Sequence, residues 1–548
     1  MPSNPSRESL DLGDANIARH LAAMAAQQPN TPALKIPRGR TADGRIDYLT
    51  LTFAELAAEA GAWRARLAGR GVRGGDRVLI MVRPGLPLIA GAFATFQLGA
   101  VPVIIDPGMG LKSFLACVAR SRPRILLGIG FAQGVSHVFR RAFRSVEVRI
   151  SVSGQLTARC EPPGGAPPPP RRSGAAELAA ILFTSGSTGG PKGVCYEHGM
   201  FDAQVRIIRE AYGIRPGEID LPLLPIFALF NPALGMTTVV PELDPRRPAT
   251  LDPAKIVQAI RQENVTTSFG SPTLWRKIGD HCRAEGITLP TLRRVLCAGA
   301  PVPAALWAGA REWLVEGELH SPYGATEALP VSSVSRREID VGGTRGACVG
   351  RPVKDAEVRI IAVVDGVISS WAHVREREVG QIGEIVVRGP MVTKRYDALP
   401  EATAQAKIPD GVEVWHRLGD CGYRDEEGRL WFCGRKVERV DTGEAVLYTE
   451  PVEQVFRRHA RVGRCALVGL GQRGTQVPAL VVESDVRTRD ARRLAEELRE
   501  LGRAHEATKS IRLFYFRRAF PVDVRHNAKI HRLTLAAWAA RERAIEVA

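Results

Sequence analysis

A chain of 548 residues is too long for one compact core and implies a large domain with at least one smaller one. Its hydrophobic share of 45% and mean hydropathy of −0.07 exclude a disordered chain and an integral membrane protein. Lysine and arginine outnumber the acids 75 to 58, for a net charge of +17, but they are scattered as pairs such as Arg140/Arg141, Arg293/Arg294 and Arg517/Arg518. With no dense run and no nucleic-acid module, the excess reads as a solvated basic surface that attracts anionic substrates or lipid head groups, and no nucleic-acid partner is expected. The opening residues carry no basic segment followed by an apolar run, so no secretion signal is read. Nine cysteines without a CxxC pair or zinc-type spacing fit reduced, buried thiols in a cytoplasmic protein.

Residues 14–27 place Ile17, Leu21 and Met24 on one helical face behind Asp14 as a candidate cap. A second amphipathic helix is predicted from Thr52 to Leu67, followed by a glycine-rich turn and a buried strand in GVRGGDRVLIMV. The uncharged stretch 86–105 is about as long as a membrane-spanning helix. Pro87, Gln97, Gly99 and Pro102 interrupt it, however, and Val101, Val103, Ile104 and Ile105 are β-branched. It therefore reads as a helix, a Gly99 cap and a buried parallel strand, and no transmembrane segment is expected. Helices alternating with β-rich runs imply crossover connections and helix-covered sheets. The proline-rich segment 161–174 is a surface linker. A boundary near Gly434-Arg435 separates a large N-terminal α/β domain, 1–433, from a smaller, more basic α+β domain, 434–548.

After the predicted strand LAAILF comes the loop Thr184, Ser185, Gly186, Ser187, Thr188, Gly189 and onward to Lys192 and Gly193. Small residues let backbone N–H groups approach a polyphosphate, hydroxyls donate, and Lys192 supplies charge. It is not a Walker A loop, because Pro191 stands where that motif needs glycine. On its own such a turn is as well explained as a flexible loop.

Further motifs follow in order: LTFAEL, GDRV, VTTSFGSPTLW (265–275), CAGAP (297–301), YGATE (323–327), VGRP (349–352), GEIVVRGP (383–390), WHRLGDCGYRDEEGRLWFCGRK (415–436) and NAKIHR (527–532). Together they resemble the adenylate-forming superfamily of acyl-CoA synthetases, luciferases and peptide-synthetase adenylation domains, from about residue 15 to about residue 535. The resemblance implies an ATP- and Mg²⁺-dependent enzyme that activates a carboxylic acid as an acyl-adenylate. It implies that Gly299, Ala300 and Pro301 line an adenine pocket with Tyr323 and Gly324, and that Thr326 holds the α-phosphate. Glu327 would take magnesium, while Asp420, at an exposed site, would accept the ribose hydroxyls with Arg435 behind it. Lys529 would bridge carboxylate and α-phosphate, delivered by a mobile C-terminal cap. Thr184, Lys192, Glu327 and Lys529 are thus the catalytic candidates.

Three departures narrow the reading. Ala228 stands where the family commonly has histidine in PIFALFNPALG, Val437 occupies the hinge position, and Ala528 replaces glycine before Lys529. With GRKVERVDTGE and FPVDVRHNAKIHR, these resemble the bacterial olefin-pathway β-lactone synthetases. That resemblance implies a long-chain 2-alkyl-3-hydroxy acid whose own hydroxyl displaces AMP, and leaves room for a complex with other olefin-pathway enzymes. A long-chain acyl-CoA or acyl-carrier ligase, and a non-catalytic nucleotide- or nucleic-acid-binding protein, are the alternatives.

Overall fold

In the computed structural model, the described residues are 13–161, 166–184, 190–224, 228–244, 247–339, 343–486, 488–522 and 530–548. Two sheets organise the first 435 residues. One has six strands, ordered Val148–Val152, Ile125–Ile129, Arg77–Met81, Val101–Ile105, Leu178–Thr184 and Lys192–Glu197. Its strands are parallel except the last, which returns antiparallel on Leu178–Thr184. The second is a run of fourteen strands among the described residues, parallel through Thr267–Gly270, Arg294–Cys297 and Glu318–Ala325, then antiparallel through Glu413–Arg424 and Leu430–Arg435.

The stretch 86–105 behaves as its composition dictates. Leu86–Gln97 is a helix buried along nearly its whole length, which explains why it is apolar all round. Gly99, at φ +66, turns the chain into Val101–Ile105, which pairs parallel with Arg77–Met81. No helix of the described residues is long and apolar enough to cross a membrane. The helix Phe53–Gly69 opens with a capping box between Thr52 and Glu55. The first helix departs from expectation: it runs Arg19–Gln27 without a side-chain cap. Asp14 is drawn away to accept hydrogen bonds from the backbone N–H groups of Asn16 (2.9 Å) and Ser173 (3.1 Å). The end of the proline-rich linker thereby anchors the N-terminal strap.

From Val440 onward the chain packs around cores of its own, one containing Phe456, Leu480, Leu498 and Phe514 and another containing Val481, Tyr515 and Leu535. These cores flank a four-stranded sheet, Cys465–Leu470, Val477–Glu483, Leu513–Arg517 and Ile545–Glu546. All nine cysteines are free and buried.

Gly350, in the VGRP segment, marks the closest approach within the long sheet. Its φ is +80, and a Cβ there would stand 1.8 Å from the Ser333 carbonyl oxygen. Gly350→Ala should therefore lower stability by about 3 kcal/mol, since neither strand can retreat without losing ladder bonds. The expected readout is a lower urea midpoint at unchanged m-value, followed by circular dichroism.

Candidate active site

The glycine-rich loop is pinned at both ends. Thr184 and Lys192 are partners on one antiparallel rung, so the chain leaves and re-enters the sheet at a single level. Ser185, Gly186, Ser187, Thr188 and Gly189 lie outside the described residues, as does Lys529. The Lys192 ammonium sits 5.0 Å from the centroid of the Tyr396 ring. Tyr396 is buried and its hydroxyl donates to Glu327 Oε1 at 2.7 Å. Burial, with Glu327 beside it, pushes the phenol far above its usual range. Tyr396 is held in place by a bridge to Val194 and by its neighbour Asp397, which accepts a two-pronged contact from Arg77 at 2.8 and 3.0 Å.

The Glu327 carbonyl accepts from the Thr393 N–H (2.9 Å) and hydroxyl (3.1 Å). The buried ammonium of Lys407 in turn donates to the Thr393 carbonyl and, at 3.4 Å, to its hydroxyl. Burial pulls the Lys407 pKa down to about 7, against the attraction of Glu327. Directly opposite Lys407 on the neighbouring strand is His416, whose Nδ1 lies 3.1 Å from the Ala406 carbonyl oxygen. Burial first, then the charges of Lys407 and Lys192, hold this imidazole well below its usual range. His416 is therefore neutral, with its proton assigned to Nδ1.

A second cluster joins two adjacent strands of the long sheet, Glu413–Arg424 and Leu430–Arg435, to Tyr323 on Glu318–Ala325, which lies further along the same sheet. Asp420 and Arg435 are register partners, with Arg435 Nη1 2.7 Å from Asp420 Oδ1. The Tyr323 hydroxyl donates to Asp420 Oδ2 at 2.7 Å. Burial and the adjacent carboxylate raise the Tyr323 phenol well above 10. Asp420 is only 5% exposed, which corrects the expectation of an exposed site: its charge is buried and paired. Beyond Tyr323, Gly324 abuts the Ala328 carbonyl, and the Thr326 carbonyl accepts from the Tyr196 hydroxyl. Nearby, Arg417 and Lys436 both reach the fully buried Glu384, at 2.7 and 3.0 Å.

One cavity of about 1660 Å³ joins these groups. Lys192, Gly299, Gly324, Thr326, Glu327 and Arg435 contribute to its wall, as do Ala228, His416 and Val437. Tyr323, half-buried, and Asp420, buried, adjoin the wall residues Gly324 and Gly419 in sequence without being part of the wall; Ala300 is half-buried and Pro301 exposed, and neither of these two lines the cavity. The volume exceeds the roughly 300–1,000 Å³ typical of small-molecule pockets. Part of the wall is apolar, built by Ile80, Leu88, Ile104, Leu182 and Phe131. Sequence reasoning missed Tyr396, Lys407, His416 and Glu384. His416 sits inside the quoted 415–436 run and Glu384 inside 383–390, but Tyr396 and Lys407 belong to no motif.

The AMP-binding enzyme family model matches residues 21–397. The olefin beta-lactone synthetase of Xanthomonas campestris pv. campestris is 44% identical over 548 residues, covering 96% of this chain and 98% of its own. That of Stenotrophomonas maltophilia is 44% identical over 546 residues, with the same coverage of 96% and 98%. Among solved structures, ATP-bound MatB from Rhodopseudomonas palustris superposes with a TM-score of 0.78 at 20% identity, covering 96% of this chain and 99% of that one. The amide bond synthetase McbA from Marinactinospora thermotolerans does so with 0.77 at 24%, again over 96% and 99%. At these identities the structural likeness speaks to the fold alone.

The buried Lys407 makes stability pH-dependent in a definite sense. Above about pH 7 the folded protein sheds this proton, while the unfolded chain keeps it up to lysine's ordinary 10.5. The unfolded state then binds more protons, so this residue's contribution to stability rises as pH climbs from about 7 towards 10. Between pH 7 and 9, Lys407→Met should flatten the rise by up to about 2 kcal/mol, read from urea midpoints of the two proteins.

Proposed function

This chain belongs to the AMP-binding enzyme family and is an ATP-dependent ligase that forms an acyl-adenylate; on that premise, we propose that it is a β-lactone synthetase acting on a long-chain 2-alkyl-3-hydroxy acid. The observation that carries this reading is the 44% identity, over nearly the whole of both chains, to enzymes named for that activity. Ala228 and Val437, two of the three departures from the family pattern, are both on the cavity wall, which supports it; the third, Ala528, lies outside the described residues.

In the first half-reaction a carboxylate oxygen attacks the α-phosphorus of ATP, and the bond to pyrophosphate breaks. Two anions must approach, so the site has to supply positive charge where negative charge develops. Lys192 and the loop Thr184 to Gly189 would hold the polyphosphate, Thr326 the α-phosphate, and Lys529 would bridge the reacting groups. Gly299, Ala300 and Pro301 would flank the adenine, with Tyr323 against it. Asp420, oriented by Tyr323 and Arg435, would accept from the ribose hydroxyls. In the second half-reaction the substrate's β-hydroxyl oxygen attacks its own acyl carbon, the bond to AMP breaks, and the hydroxyl proton is released. A tethered nucleophile supplies by proximity what a second substrate would otherwise supply.

Magnesium fits the donor set. Glu327 offers a hard carboxylate on the cavity wall, fixed through Thr393 and Tyr396. A Mg²⁺ ion that takes most of its ligands from phosphate and water needs little more from the protein. When bound it would neutralise phosphate charge.

The segment from Arg439 on would form a cap turning about Lys436–Glu438, because Gly434 and Arg435, at the expected boundary, still belong to a strand of the long sheet. Arg473, which donates to the Val437 carbonyl at 2.9 Å and lies 3.5 Å from Asp365, spans that turn. The cap's separate cores allow it to move as a unit.

Lys529→Ala should preserve the fold and ATP binding but lower pyrophosphate release about 10²-fold or more. An unchanged rate would remove Lys529 from the mechanism. The product itself is tested with a long-chain 2-alkyl-3-hydroxy acid and its 3-deoxy analogue, each with and without CoA. The hydroxy acid should give β-lactone, AMP and pyrophosphate at a rate indifferent to CoA, and the deoxy acid no lactone. An acyl-CoA from either acid, with no lactone seen by NMR, would establish an ordinary thioester ligase instead.

A further inference from the structure

Large apolar side chains are exposed together on one face of the six-stranded sheet. In the helix Gly130–Val138, Phe131 is 76% and Val138 74% exposed, and seven residues apart they share a side of the helix. Leu111, which opens the helix Leu111–Ser121, is also exposed. The two helices follow Ile125–Ile129 and Val101–Ile105, strands that both run parallel to Arg77–Met81, so their first residues emerge at one carboxyl edge of the sheet. Successive crossovers in the same direction put both helices on the same face. Phe114 of one and Val135 of the other accordingly pack against a common core.

Phe131 is also part of the cavity wall, so the apolar cavity reaches the surface beside this patch. The surroundings are one-sidedly basic. Residues 107–146 contain no Asp or Glu, while Lys112, Arg122, Arg140, Arg141 and Arg144 are all exposed. A nucleic acid would use the charge and leave Leu111, Phe131 and Val138 in water. An anionic bilayer satisfies both features at once: the apolar groups enter the headgroup–acyl boundary and the cations meet lipid phosphates.

We propose that the face formed by Leu111–Ser121 and Gly130–Val138 docks on an anionic lipid bilayer and admits the long-chain acid to the cavity past Phe131. The cargo rests on the substrate reading above, whereas the docking surface rests on exposure and charge. The two can therefore fail separately. The full-length protein is floated with vesicles of phosphatidylcholine, alone or mixed with phosphatidylglycerol. It should partition onto the phosphatidylglycerol vesicles and lose that partition as salt is raised.

Val138→Asp, and the triple variant Arg140→Glu/Arg141→Glu/Arg144→Glu, should each lower the partition coefficient about tenfold or more. None of these residues lines the cavity, so turnover of a short, water-soluble 3-hydroxy acid should be unchanged. Reversing Arg492, Arg493 and Arg503 to glutamate, on the distant helix Thr488–Arg503, alters net charge equally and should leave partition intact. The proposal is overturned if the parent protein does not float, if either patch variant floats like the parent, or if the distant reversal is as damaging. Loss of lactone formation with flotation intact would count against the substrate reading alone.

Discussion

Glu327 is the point at which three separately built parts of the chain are tied together. Its carboxylate accepts from Tyr396, whose ring carries the Lys192 ammonium at the root of the glycine-rich loop. Its carbonyl is held by Thr393, which Lys407 secures from below. The six-stranded sheet, the long sheet and the 393–407 segment thus share one junction, and that junction is polar and largely buried. A polar junction of this kind is unforgiving, because removing one partner leaves another desolvated. It fixes where the Lys192 ammonium stands relative to the Glu327 carboxylate, a separation that apolar packing alone would define loosely.

Much of the architecture was readable from local pattern. The β-branched run after Gly99 could only be a buried strand, and Thr52 with Glu55 spelled a helix start. The glycine-rich loop, YGATE and the 415–436 run announced themselves because backbone approach, turn geometry and hairpin register demand particular residues at fixed offsets. Tyr396 and Lys407 gave no such signal. Tyr396 gains its importance by bridging to Val194, which is remote in sequence, and such a meeting leaves no period in the chain; Lys407 faces His416 across a short hairpin, where its burial, not its spacing, makes it matter. Asp420 shows the complementary failure. A GD turn suggests solvent exposure, but a bulged hairpin folds it beneath Tyr323 and against Arg435, so a residue identifiable by type was misjudged in environment.

The cavity wall mixes two kinds of side chain. Lys192, Glu327 and Arg435 offer charge and hydrogen bonds, while Ile80, Ile104 and Leu182 have nothing to offer a polar ligand. Apolar wall of this kind accommodates an acyl tail without specific contacts, which leaves discrimination among tail lengths to shallow increments per methylene.

The buried thiols provide a way to observe the molecule opening. Cys195, Cys421 and Cys433 lie on the strands that carry Lys192, Asp420 and Arg435, while Cys465 belongs to the C-terminal sheet. Burial pushes the Cys421 and Cys465 thiols up to about 12, so an intact fold offers an alkylating reagent neither access nor thiolate. Modification at each position then counts excursions in which its own strand separates from its neighbours. Mass spectrometry of a slowly alkylating sample would rank these regions by how often they breathe, with reporters that require no substitution at all.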